Sequence, residues 1–209
     1  SNIQSILAAG GVDTSIDSVA LHHQFTLHAV IPAPRTILNG VRKLQPGHSL
    51  TIEKNGTTSL RQYWKLQAKR PDQTLSEEQW VEAVHTALKK AVKRRLDIAD
   101  VPVGVLLSGG LDSSLLVGLL AEQGVEEILT FSIGFEDQPE ESGSEFEYSD
   151  QVVAMHNTRH HKYHIPNDQV LQRLPEAIGQ MAEPMVGQDA VAFYLLSEQV
   201  SKEVKVVQS

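Results

Sequence analysis

The chain has 209 residues, a formal charge of -8 at neutral pH and no cysteine, with 41% hydrophobic and 21% charged residues. This composition is typical of one or two globular domains. No apolar run approaches the ~18 residues that a membrane span needs, and Ser1–Gln4 lack the basic and apolar segments of a secretory signal. The missing cysteines exclude disulfides, thiolate metal sites and thiol nucleophiles, and the negative charge argues against binding to a nucleic acid backbone. We therefore expect a cytoplasmic protein without membrane or nucleic acid partners.

Residues 1–67 carry short, turn-rich patterns that predict two short helices and a β-hairpin. Asp17 or Ser18 is a candidate N-cap for the second helix. The hairpin is indicated by alternating polar and apolar residues at 49–53, followed by Asn55-Gly56, a strong signal for a tight turn. This region is too small and irregular to bury a full core by itself.

From residue 68 onward, helical patterns alternate with strand patterns. Ser76 and Gln79 have the spacing of a capping box at the start of a long helix. The continuous apolar run Val101–Leu107 is typical of a strand buried on both faces of a parallel sheet. Glu127–Phe135, with Ile128, Leu129, Phe131 and Ile133, is predicted to be a second buried strand. The remaining predictions, in chain order, are a linker at 69–72, a helix at 111–120, an acidic loop at 136–144, a helix at 148–156, a strand at 160–165, helices at 168–179 and 190–202, and a strand from 204. The alternation predicts a parallel α/β sheet with right-handed crossovers.

A glycine- and serine-rich loop, Ser108-Gly109-Gly110-Leu111-Asp112-Ser113-Ser114, lies between the first buried strand and its helix. Glycines let the backbone approach an anion closely, and the unpaired N–H groups of the first helical turn point at it. A carboxylate beside phosphates repels them unless it holds a divalent cation, which is the expected role of Asp112. The loop matches neither G-x-x-x-x-G-K-[ST] nor G-x-G-x-x-G, so it is not a γ-phosphate-transferring loop or a dinucleotide fingerprint.

This loop resembles the pyrophosphate-binding loop of the ATP pyrophosphatases, enzymes that split ATP into AMP and pyrophosphate. The longer run Asp100–Ser114 is specifically similar to the glutamine-hydrolysing asparagine synthetases. Similar blocks occur at residues 1–7, 31–37, 43–48, 63–64, 147–150, 182–184 and 206–209. Ala182 departs from the family's usual Asp, and Gln208 stands where the asparagine enzymes usually have an apolar residue. Gln208 and several blocks resemble the subgroup that amidates N-acetylglutaminylglutamine.

The resemblance implies a Rossmann-like parallel sheet of the ATP-pyrophosphatase type in residues 68–209. It also implies that residues 1–67 are the α+β tail of an N-terminal-nucleophile glutaminase domain. In the family, a catalytic cysteine would precede Ser1, and a second metal-binding acid and a catalytic lysine would follow Ser209. The chain is therefore expected to be an internal part of a longer enzyme, without a catalytic residue of its own and inactive by itself.

The implied activity is a glutamine-dependent amide ligase that uses ATP and Mg²⁺. A substrate carboxylate, such as that of aspartate, becomes an acyl-adenylate, which ammonia from glutamine converts to an amide. The implied nucleotide-binding positions are Leu107, Ser108, Gly109, Gly110, Asp112, Ser113, Ser114, Ile133 and Ser209, with Asp112 as the metal ligand. The backbones of Leu107 and Ile133 are expected to meet the adenosine. The sequence does not determine the oligomeric state, and a homodimer is compatible with it.

Two alternative functions use the same loop. A transfer RNA thiolation enzyme predicts reactive cysteines and a basic face, and the chain has neither. A module that binds ATP without turnover has less need of the metal-binding Asp112. Outside the loop, the histidines at positions 156, 160, 161 and 164 and the acidic residues at 136–147 are weaker candidates for metal sites, because neither set has a known ligand spacing.

Overall fold

A computed structural model of the protein describes residues 2–68, 70, 74–137, 144–183, 185, 187 and 189–209. The chain forms two compact units, residues 1–72 with 178–187, and residues 73–177 with 188–209. The linker predicted at 69–72 lies outside the described residues except for Arg70, as does most of the acidic loop, including Glu140 and Glu141. The predicted domain boundary after residue 67 stays a prediction.

The first unit contains the two predicted helices and the hairpin. Its elements are α1 (Ile3–Ala9), α2 (Ser18–Thr26), β1 (His48–Ile52) and β2 (Thr58–Gln62), with β1 and β2 antiparallel. Asp17 is the N-cap of α2, because its carboxylate accepts hydrogen bonds from the amides of Val19 and Ala20 at 2.9 and 3.0 Å. The helix ends before His28, which has a φ of 50° that no α-helix accommodates.

The second unit is a layered α/β structure, and the predicted fold class is confirmed. Its elements are α3 (Glu77–Ile98), β3 (Val103–Leu106), α4 (Leu111–Glu122), β4 (Leu129–Phe135), α5 (Phe146–His156), β5 (Arg159–Ile165), α6 (Asn167–Gln180, which continues into the first unit from Ile178), α7 (Asp189–Val200) and β6 (Val206–Gln208). The four strands are parallel in the order β5-β4-β3-β6. The capping box of Ser76 and Gln79 is present at the start of α3, as predicted.

The core of the second unit covers both faces of the sheet. On one face, Val105 and Leu107 pack with Val117 and other apolar residues of α3 and α4. On the other face, the fully buried Phe131 packs with Leu196 of α7. Because successive side chains of a strand point to opposite faces, β3 contributes Val105 to the first layer and Leu106 to the second. The apolar residues of β4, by contrast, alternate with Thr130 and Ser132 and pack in the second layer. The layers leave the carboxyl ends of these two strands open for the loops that follow them.

Among the described residues, no helix has the length and apolar character that crossing a lipid bilayer requires.

Candidate functional site

The loop after β3 leads directly into the amino terminus of α4. Gly110 is the N-cap of this 12-residue helix, and no side chain caps its first amides. These amides and the positive end of the helix dipole therefore remain available to an anion. Asp112 lies in the first turn of α4 and is exposed. The segment thus combines free N–H donors with one carboxylate.

Short hydrogen bonds between loop residues hold this segment in a compact turn. The hydroxyls of Ser108 and Ser113 are 3.1 Å apart, and the amide of Gly110 donates to Ser108 Oγ at 3.2 Å. The hydroxyl of Ser113 also lies 3.2 Å from the Gly110 carbonyl, to which it donates. The two hydroxyls therefore lie beside the uncapped helix terminus, where both can turn towards a bound oxyanion.

Gly109 fits against the first turn of α5 in a conformation that other residues rarely adopt. Its φ is +89°, and a Cβ atom at this position would lie 2.5 Å from both the backbone nitrogen of Ser149 and Cβ of Tyr148. No side chain fits in this space, and the backbone atoms cannot move aside independently. The lack of a side chain at Gly109 therefore sets the path of the loop, and its role in nucleotide binding stays a prediction.

A cavity of about 650 Å³ opens at the carboxyl ends of β3 and β4, within the size range typical of small-molecule sites. Of the predicted site residues it brings together Leu107, Ser108, Gly110, Asp112, Ser113, Ile133 and Ser209. Gly109 and Ser114 do not line it. Gly109 faces α5, and Ser114 Oγ is buried with no hydrogen-bond partner among the described residues.

The charged side chains around this cavity are acidic. Asp112 and Glu145 line it, and no described lysine, arginine or histidine does. A polyphosphate bound here would meet two carboxylates without a counter-charge, which is unfavourable unless a cation is bound with it. Mg²⁺ is commonly held by one or two carboxylates together with substrate phosphates, so the donor set fits this ion. No group of three described His, Asp or Glu residues is placed to hold a metal by itself.

Beside the loop, β4 extends beyond its pairing with β3. The last backbone hydrogen bond between them runs from the Leu107 amide to the Phe131 carbonyl, at 2.8 Å. Immediately before β4, the carbonyl of Ile128 accepts a hydrogen bond from the amide of Arg159, the first residue of β5, at 2.9 Å, so this residue points to the opposite edge. Because backbone groups alternate between the two edges of a strand, the N–H and C=O of Ile133 point to the same side as those of Phe131, towards the cavity.

In the β3 segment, the natural acceptor of the Ile133 amide already has another donor. In a parallel ladder, the Ile133 N–H would donate next to the Leu107 carbonyl. The hydroxyl of Ser132 donates to that carbonyl, and no hydrogen bond among the described residues joins Ile133 to Leu107. The side chain of Leu107 is 1% exposed and its amide is already bonded. Ile133 therefore presents more unpaired backbone N–H and C=O groups to the cavity than Leu107 does.

Sequence reasoning did not assign Ser132, Glu145 or Phe193 to the nucleotide site, although all three line the cavity. Ser132 offered a signal, because a hydroxyl in a buried strand needs a hydrogen-bond partner. Glu145 was considered only as one of the acidic residues at 136–147 that are weaker candidates for a metal site. Phe193 gave no signal, since its place depends on how α7 packs against the sheet.

The histidines of β5 lie apart from the cavity. His160 Nδ1 and Thr130 Oγ1 share a hydrogen bond of 2.9 Å. The ring of His161 instead stacks on that of Phe131, with centroids 5.2 Å apart. These two side chains point to opposite faces of the sheet, as alternation requires. Burial lowers the pKa of His160, and the positive charge of Lys162 lowers it further. The lowered pKa favours the uncharged form of the His160 ring, and its Nδ1 has a hydrogen-bond partner.

Two sequence profiles match the chain over almost its whole length. That of asparagine synthase matches residues 83–209, more than half of the chain, and that of the glutamine amidotransferase domain matches residues 1–64. The chain belongs to the asparagine synthase family. The alternating helices and parallel strands of residues 83–209 are thus those of a family that has the ATP-pyrophosphatase fold, as expected from the loop.

The chain is also similar to individual proteins, two of which carry the name of this family. The chain is 31% identical over 197 residues to asparagine synthetase [glutamine-hydrolyzing] 1 of Bacillus subtilis, an alignment that covers 94% of the chain and 30% of that protein. It is 30% identical over 192 residues to asparagine synthetase [glutamine-hydrolyzing] 3 of the same organism, with 85% and 30% covered. Amidase chyE of Penicillium rubens is 42% identical over 90 residues, with 42% and 13% covered. The chain spans about a third of the length of the first two relatives.

Proposed function

We propose that the protein is an amide ligase that consumes ATP, forms AMP and pyrophosphate, and takes ammonia from glutamine. In this proposal residues 1–67 are part of the glutaminase domain and residues 68–209 begin the synthetase domain. The observation that carries it is the shared cavity, in which the uncapped amino terminus of α4 and the free edge of β4 face the same space. The helix terminus suits a polyphosphate, and the strand edge suits a nucleotide base.

The loop and strand would orient ATP along the carboxyl ends of β3 and β4. The first amides of α4, with the hydroxyls of Ser108 and Ser113, would hold the pyrophosphate group. The backbone of Ile133, one strand away, would meet the adenine, and Ser209 lines the same cavity from the end of β6. Ligands of open parallel sheets bind at this edge in general.

Asp112 is the residue that would hold Mg²⁺, with Glu145 on the same cavity as a second carboxylate. The ion, when bound, would neutralise the phosphates and the charge that develops on the departing pyrophosphate. The position of Asp112 in the first turn of α4 places its charge beside the positive end of the helix dipole.

The proposed reaction has two steps. A carboxylate oxygen of the substrate attacks the α-phosphorus of ATP, the bond to the β-phosphate bridging oxygen breaks, and pyrophosphate leaves with that electron pair. Ammonia then attacks the acyl carbon, gives up one proton, and AMP leaves to yield the amide. The loop serves by positioning and charge stabilisation, because phosphoryl transfer requires little covalent help from a protein. No residue of the chain supplies a thiol for glutamine hydrolysis, since it contains no cysteine.

The carboxylate that is amidated has two candidates. Aspartate is the first candidate, because its amide is asparagine, for which the family is named. N-acetylglutaminylglutamine is the second candidate because of Gln208. Gln208 is 8% exposed, and its amide nitrogen has no hydrogen-bond partner among the described residues. A buried polar group without a partner is costly, so this position differs physically from an apolar one. Formation of AMP with each carboxylate in turn distinguishes the two.

The decisive experiment compares Asp112→Asn with Asp97→Asn in the protein produced from its complete gene. Asp97 is an exposed residue of α3 that pairs with Lys93 at 3.2 Å, so it controls for loss of one negative charge. We expect Asp112→Asn to lower kcat/KM for AMP and pyrophosphate formation by about 100-fold or more and to raise the Mg²⁺ concentration needed for half-maximal rate. Asp97→Asn should change neither quantity.

Unchanged turnover and Mg²⁺ dependence in Asp112→Asn would contradict the metal-binding role. Binding of ATP by the wild-type protein without AMP formation, with both carboxylates and ammonia supplied, would favour a non-catalytic ATP-binding module instead.

A further inference from the structure

Ser132 occupies an unusual place between the two central strands of the second unit. It is 4% exposed, and its hydroxyl donates to the carbonyl of Leu107, the first residue after β3. The β3–β4 register ends at Leu106 and Phe131, and the Leu107 amide adds one further bond, to the Phe131 carbonyl. The side chain of Ser132 therefore stands at the point where the β3–β4 ladder stops.

The bond from Ser132 replaces the next hydrogen bond of the ladder. A parallel pair in this register would continue with the Ile133 N–H donating to the Leu107 carbonyl. Since the hydroxyl of Ser132 already satisfies that carbonyl, the chain after Leu107 is free to turn into the loop. Backbone N–H groups near an acceptor close on it readily, because an unmade bond is costly. Without the hydroxyl, the Ile133 amide has an acceptor one strand away.

We propose that Ser132 is a positioning residue that keeps the backbone of Ile133 available to the nucleotide base, and so sets the preference for adenine. This inference rests on the proposed function. An N–H and a C=O on one residue match the ring-nitrogen acceptor N1 and the amino donor N6 of adenine. They do not match guanine, whose corresponding groups are a donor and an acceptor.

The test measures how strongly the enzyme distinguishes ATP from 1-deaza-ATP, which lacks the N1 acceptor. In the wild-type protein produced from its complete gene, we expect kcat/KM to be about 3- to 10-fold higher for ATP, the range of one hydrogen bond. In Ser132→Ala this ratio should fall close to 1, mainly through a higher KM for ATP, because the lost bond contributes to binding rather than to the chemical step. Selectivity for ATP over GTP should fall with it.

Matched variants separate positioning from stability. Ser132→Thr keeps the hydroxyl and should keep the ratio. Ser132→Cys fills similar space with a weak donor and should lower the ratio, which preserves the test if Ser132→Ala does not fold. Thr130→Val removes a buried hydroxyl from the same strand, where it bonds Thr158 at 2.8 Å, away from the cavity. It should lower the melting temperature and leave the ratio unchanged.

The outcomes distinguish this inference from the function on which it rests. An active wild-type enzyme whose ratio is the same in Ser132→Ala or Ser132→Cys overturns the positioning role alone, as does a wild-type ratio of 1. A wild-type protein that neither binds ATP nor forms AMP overturns the proposed function and this inference together.

Discussion

Gly109→Ala tests whether the conformation of the loop depends on contact with α5. The φ of +89° is strained for alanine, which costs about 1 kcal/mol. The new Cβ would also lie 2.5 Å from the Ser149 nitrogen and 2.6 Å from the Tyr148 carbonyl carbon, both backbone atoms. Relieving such overlap costs about 1–3 kcal/mol more. The total is about 2–4 kcal/mol, or about 4–16 °C in melting temperature for a unit of this size.

Gly124→Ala provides the matched control for the backbone strain alone. Gly124 follows α4 with a φ of +78°, and no atom lies within 4 Å of the position its Cβ would take. Its substitution should therefore lower the melting temperature by only about 2–4 °C, corresponding to about 1 kcal/mol. The difference between the two variants measures the overlap with α5.

The assay is thermal denaturation of the complete protein with and without ATP and Mg²⁺. A ligand that binds only the folded state raises the melting temperature. We expect Gly124→Ala to retain this rise and Gly109→Ala to lose most of it, because displacing the loop from α5 moves the amides and hydroxyls at the start of α4. The reasoning is refuted if both variants melt within about 2 °C of each other and respond equally to ATP.

Two further predictions concern pH. Burial and Lys162 lower the pKa of His160 in the folded state, so stability should be constant above the unfolded pKa of about 6.5 and decrease as the pH falls from there through the lowered value. His160→Asn should flatten that decrease in pH-dependent melting curves, and an unchanged slope would exclude His160 as its source. The Ala20 amide and the Arg35 guanidinium lower the pKa of Asp17. Its contribution should therefore be complete above about pH 4 and be lost on further acidification, a loss that Asp17→Asn should remove from melting curves recorded between pH 5 and 2.

Local signals in the sequence predicted most of the elements correctly. The Ser76 capping box, the Asp17 cap and the Asn55-Gly56 turn all lie where they were expected. Each depends on hydrogen bonds between residues no more than a few positions apart, so neighbouring residue types suffice to specify it. Element ends were less accurate. The strand predicted from Val101 begins at Val103, because pairing with β6 and β4, and not apolar character, defines its start.

The sequence predicted the part of the candidate site that consecutive residues form. The segment from Ser108 to Ser113 faces one cavity, apart from Gly109, and the first turn of α4 follows from the sequence of glycine and serine residues. The assignment of Ser114 to the ligand stays a prediction, since its hydroxyl is buried and does not line the cavity. Helical rotation directs consecutive side chains about 100° apart, so neighbours in sequence need not share a surface.

By itself, the sequence determined the family, the alternation of helices and strands, and the loop that ends β3, because these are properties of adjacent residues and their periodicity. Only the tertiary structure decided that Ser132 meets the Leu107 carbonyl, that Glu145 shares the cavity with Asp112, and that Gly109 has no room for a side chain. Each of these depends on the register and packing of segments distant in the chain. Register and packing are set by the whole core at once, and no single stretch of sequence encodes them.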